Sequence, residues 1–89
     1  MTMRDRIEAR LTSQFAPAAL DVVDESALHA GHAGARAGGE THYRVALVSS
    51  EFAGLNRVRR HRLIYAALAA EIADGVHALS LDARAPGEG

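Results

Sequence analysis

The stretch THYRVALVS, Thr41 to Ser49, constrains the fold more than any other part of the chain. Tyr43, Val45 and Leu47 fall on one side and His42, Arg44, Ala46 and Val48 on the other. That alternation is the pattern of a β-strand with one buried face, and such a strand needs neighbours to satisfy its backbone. Ala46 and Val48 predict that the second face is also partly covered. Leu20 to Glu25, with the β-branched pair Val22 and Val23, reads as a second strand. Val76 to Ala83 reads as a third, with His77, Leu79 and Leu81 sharing a face. Between the first two strands lies SALHAGHAGARAGGE, residues 26 to 40, with four glycines, two histidines and no periodicity. Connections this long are uncommon in compact domains and are usually functional or mobile.

Two helices complete the pattern. Met3, Ile7, Leu11 and Phe15 recur every four residues and line one helical face. Thr2 with Asp5 forms an acidic version of the capping box, and Pro17 stops the helix. A second helix is expected over Arg57 to Ala73. Val58, His61, Tyr65, Leu68 and Ile72, widened by Ile64, form its apolar stripe, and Asp74-Gly75 ends it. The order is αββαβ. Three strands cannot close a barrel, so the expected class is α/β (α+β), a small mixed sheet with helices on one face. The tail, residues 84 to 89, is expected to fray.

An 89-residue chain has room for a single domain and little volume for an enclosed pocket. This favours a binding module over a self-contained enzyme. No apolar run reaches the roughly 18 residues of a membrane span, and no secretory signal is visible, so the expected setting is cytoplasmic. The chain has no cysteine, which excludes disulfides and any thiolate site of its own. It also has no lysine, which excludes a Walker-type phosphate lysine and Schiff-base chemistry. All ten basic residues are arginine.

Histidine is therefore the natural candidate for metal chemistry. His77 opens the third expected strand, right after a turn, where an imidazole can face a partner or simply sit at the edge of the core. His29 and His32, three apart between small residues in HAGHAG, can chelate or remain solvated loop residues. His61 on the helical stripe and His42 in the strand read as structural. Arg57, Arg59, Arg60 and Arg62 place four guanidiniums at a helix start, suited to phosphate or to an acidic protein face. Arginine at the positive end of a helix is disfavoured by the dipole, so something must offset it. Asp24 and Glu25 are adjacent carboxylates, but neighbouring strand residues face opposite ways. Ser26 and His29 have no third partner or oxyanion-hole motif, so an enzymatic reading is weak.

The strings VVDES, HAGHAG, GETHYRVALVS, FAGLNRVRRHRLIYAAL and VHALSL, in this order, resemble the BolA family over nearly the whole chain. The resemblance implies a fold like the type II K-homology domain. The GxxG loop of that domain is missing, since Gly54-Leu55-Asn56-Arg57 does not supply it. It also implies a heterodimer with a monothiol glutaredoxin and a shared [2Fe–2S] cluster, completed by a glutaredoxin cysteine and a glutathione thiol. By the same resemblance the family's C-terminal histidine ligand matches His77 and its loop ligand matches His29, with His32 as the alternative. Histidine can replace cysteine on one iron of such a cluster. The implied role is cluster trafficking or iron sensing. Some members are DNA-binding regulators of cell shape and stress, and for that role Arg57 to Arg62 is the candidate surface.

Overall fold

The computed structural model describes residues 1–25 and 42–88. Helix α1 spans Met3–Phe15 and begins with a reciprocal cap. The Asp5 amide donates to the Thr2 hydroxyl, and the Thr2 amide donates to the Asp5 carboxylate, each at 3.1 Å. These bonds from Thr2 hold the Asp5 carboxyl below the ordinary carboxylate range. Ile7, Leu11 and Phe15 are buried, as the spacing predicts, and Met3 packs at the edge of the core. The helix ends at Ala16, which adopts left-handed backbone at φ 43° ahead of Pro17.

Strand β1, Ala19–Asp24, pairs antiparallel with β2, His42–Val48. Strand β3, Ala78–Arg84, pairs parallel with β2, giving the order β1-β2-β3. Register builds the core in rows. Val22, Val45 and Leu81 stand abreast, as do Leu20, Leu47 and Ala83. Tyr43, Val45, Leu47 and Val22 are buried on this face against α1, Phe52, Ile64 and Leu68. On the other face Val23, Ala46 and Val48 are half-buried beside exposed Asp21, Arg44 and Asp82. The expected partial cover is found there. The fold class stands as the pattern predicts.

Both outer strands have an outward carbonyl held by an arginine. Arg4 Nε donates to Val22 O at 2.8 Å, and Arg60 Nη1 donates to Ala83 O at 3.0 Å. These contacts cap edges that would otherwise offer open ladder positions.

Three expectations need correction. The second helix is not continuous, because α2, Arg57–Ala67, gives way at Leu68 to α3, Ala69–Ala73. The break accompanies burial of Glu71, whose carboxylate accepts from Arg6 at 3.0 Å and from Arg10 at 3.3 Å. The apolar stripe is also rotated. Ile64 and Leu68 are buried, whereas Val58 is 57% and Tyr65 44% exposed. The arginine stem of Arg60 and the paired Glu71 take inward positions that a purely apolar pattern assigns to neighbours. Finally, the tail does not fray through Glu88. Ala85 is buried, and Glu88 bonds to the Ala85 amide at 3.0 Å and to Arg60.

Ser49 joins the layers. It is fully buried, its hydroxyl donates to Phe15 O at 2.7 Å, and its amide donates to Arg84 O at 2.9 Å. The hydroxyl thereby satisfies a carbonyl left over at the end of α1. Ser49→Ala leaves that carbonyl buried without its donor and is expected to cost about 1–2 kcal/mol, measured by urea unfolding. A loss below the error of the measurement would contradict this role.

Candidate functional site

Parallel pairing of β2 and β3 sets the two ends of the sheet apart. His42 is level with Ala78 at one end, and Val48 is level with Arg84 at the other. Six residue steps of strand separate them, roughly 20 Å. The two groups of candidate residues fall at opposite ends.

At the first end, His77 lies just outside β3 and its side chain is exposed. It does not share the half-buried face of Leu79 and Leu81, which corrects the expected strand start at Val76. The physical reason is the turn. Gly75, at φ 131°, and the Val76 amide bonded to Glu71 O at 3.3 Å bring the chain off α3, and Val76 fills the core while His77 turns out. The ring of His42 lies beside it, with centroids 6.5 Å apart and planes tilted by 58°. His42 is half-buried at the start of β2. From the sequence alone His42 reads as structural. Only the parallel register, which puts His42 level with Ala78, reveals the pair. Glu25 and His42 are joined by a backbone bond of 2.8 Å at this same end. Glu25 also pairs with Arg44 at 3.4 Å, so it is engaged as a surface ion pair. His29 and His32 lie outside the described residues, as does Ser26.

Among the described residues this end offers one exposed imidazole beside a half-buried one. An exposed imidazole is a good donor to a metal. Among the described residues no group of three or more histidine, aspartate or glutamate side chains converges to hold an ion. With no cysteine in the chain, any thiolate ligand would have to come from a second molecule.

At the second end, α2 starts at Arg57 with Asn56 as its N-cap, the Asn56 side chain accepting from the Arg59 amide at 2.9 Å. The turn before it needs Gly54, whose φ is 78°. The four arginines divide. Arg57, Arg59 and Arg62 are exposed. Arg60 is turned inward, with its side chain 13% exposed, and it bonds Leu55 O, Ala83 O and the Glu88 carboxylate. Arg60 therefore leaves the exposed patch, correcting its place in that group. Arg59 and Arg62, three apart, share the outer face of the helix. The first turn carries no acidic residue. Glu88 supplies the offset that the dipole argument calls for, and the Arg60 guanidinium holds its carboxyl down at about 2. His61 is half-buried at the side of this cluster, consistent with a structural position.

The family model described as "BolA-like protein" matches residues 11–88. The DNA-binding transcriptional regulator BolA of Escherichia coli is 47% identical over 91% of this chain and 73% of its own length. BolA-like protein 1 of Pongo abelii is 48% identical over 92% of this chain, which spans 57% of that protein. Among solved structures, the BolA domain of SufE1 from Arabidopsis thaliana superposes with a TM-score of 0.90 at 42% identity, covering 100% of this chain and 98% of that one.

The two ends also differ in what substitution should do to the fold. His77→Ala is expected to change stability by less than about 0.5 kcal/mol, as for an exposed side chain. Arg60→Ala is expected to lower the melting temperature clearly, while Arg59→Ala leaves it in place. Thermal unfolding of the three variants checks the division, and equal midpoints for Arg60→Ala and Arg59→Ala would contradict it.

Proposed function

This chain belongs to the BolA-like family, and from that premise we propose that it is an adaptor that lends histidine to a [2Fe–2S] cluster shared with a monothiol glutaredoxin. The observation that carries the reading is the exposed His77 ring beside His42, at the sheet end where the Glu25–His42 contact closes the hairpin. A chain without cysteine has no thiolate to contribute to such a cluster, and histidine on one iron is an established substitution. In this proposal His77 is one ligand and His29 the second, with His32 as its alternative. The glutaredoxin cysteine and glutathione bring the sulfur. The role is transfer of clusters or sensing of iron status, in the cytoplasm, without catalysis by this chain.

The test is reconstitution. The chain is mixed with a monothiol glutaredoxin, iron, sulfide and glutathione, and the visible and circular dichroism spectra are followed. The wild-type chain is expected to give a spectrum different from that of glutaredoxin alone, and His77→Ala is expected to abolish the difference. Identical spectra with and without this chain would end the proposal.

A second reading has its own support. Arg57, Arg59 and Arg62 are exposed at the start of α2, and one relative is named as a DNA-binding regulator. Nucleic-acid phosphates would meet these guanidiniums, roughly 20 Å of strand from His77. In duplex binding, Arg59→Ala and Arg62→Ala should each reduce the salt slope by about 1. A slope that both variants leave unchanged would remove the helix from DNA contact.

A further inference from the structure

The N-terminal turn of α2 and the end of β3 flank an open groove of about 550 Å³ whose lining includes Arg57, Arg60, His61, Asp82, Arg84 and Glu88. The Arg60 guanidinium lies along it. Nε donates to Leu55 O at 2.9 Å and Nη1 to Ala83 O at 3.0 Å, and neither bond involves the tail. The guanidinium is therefore held in place by the fold. Its remaining fork grips both oxygens of Glu88, Oε1 at 2.5 Å and Oε2 at 2.7 Å. Glu88 itself is 42% exposed and sits on a short turn closed by bonds to Ala85. Arg84 is already paired with Asp82 at 2.9 Å, while Arg57, which also lines the groove, is exposed.

A fixed guanidinium fork, an exposed second arginine and a removable carboxylate together describe an oxyanion site with an occupant drawn from the same chain. We propose that this groove binds a phosphate group, and that Glu88 is an internal stand-in which the phosphate displaces. Two phosphate oxygens present the same edge to the Arg60 fork as the Glu88 carboxylate does. A third oxygen faces the side of the groove lined by Arg57 and His61. Because Arg60 stays anchored to Leu55 and Ala83, displacement costs the turn at residues 85–88 and not the sheet edge. Glu88 remains ionised throughout the neutral range, so the exchange is driven by anion concentration. The proposal rests on the nucleic-acid reading only for the source of the phosphate, since the site itself requires no more than a phosphate group.

The experiment titrates inorganic phosphate into the isotope-labelled full chain, wild type and Glu88→Gln, at constant ionic strength. The Arg60 Nε–Hε and Ala85 amide resonances are followed by NMR. Glu88→Gln removes the competing charge at an exposed position while keeping the side-chain shape. It is expected to tighten phosphate binding roughly tenfold, with the Arg60 resonance moving in both proteins. Equal affinity in the two proteins, or a gain in which the Arg60 resonance does not move, would overturn the proposal. A second arm uses a short DNA duplex. A matching gain assigns the phosphate to nucleic acid. A gain for inorganic phosphate alone keeps the site, assigns it to a free phosphate or phosphorylated small molecule, and counts against the nucleic-acid reading.

Discussion

Parallel pairing between β2 and β3 is the constraint on which the rest of the arrangement depends. A parallel partner cannot follow through a tight turn, so the chain must cross the length of the sheet before it returns. Here the crossing is made by α2 and α3, between Val48 and Ala78. The crossing starts at the end that carries Arg57 and finishes at the end that carries His77. One topological requirement thus separates a cationic helix start from an exposed imidazole.

Charged side chains do much of the internal joining. Glu71 is buried and tied to Arg6 and Arg10 of α1, which locks α3 against the first helix. Arg60 reaches the outer edge of β3, and Arg4 reaches the outer edge of β1. In a domain with a small apolar core, such contacts add specificity at places where hydrophobic area is short. Removing one member of a buried pair is costly because it leaves the other without its partner.

The same residues explain what the sequence reading could and could not see. Helix α1 was legible because its cap and stripe are local, Thr2 to Asp5 and Ile7 to Phe15. Strand β2 was legible because its alternation is strict. The inner face of the crossing helices departs from the apolar stripe because Arg60 in α2 and Glu71 in α3 face inward, each paired with an opposite charge, positions that an apolar count assigns to solvent. The His42–His77 pair depends on strand order and register, which no local pattern encodes. The anchored tail depends on Arg60 being reachable from residue 88, a contact 28 residues apart in sequence. The loop ligands His29 and His32 remain readings of the sequence.

The central claim is that this chain supplies nitrogen to iron held jointly with a sulfur-bearing partner. Pulsed EPR of the reduced heterodimer, with ¹⁵N introduced only into this chain, addresses it directly. The account predicts strong ¹⁵N hyperfine couplings from this chain, of which the His77→Ala variant loses the one that His77 contributes. A cluster that forms in the heterodimer yet shows no ¹⁵N coupling from this chain would contradict it.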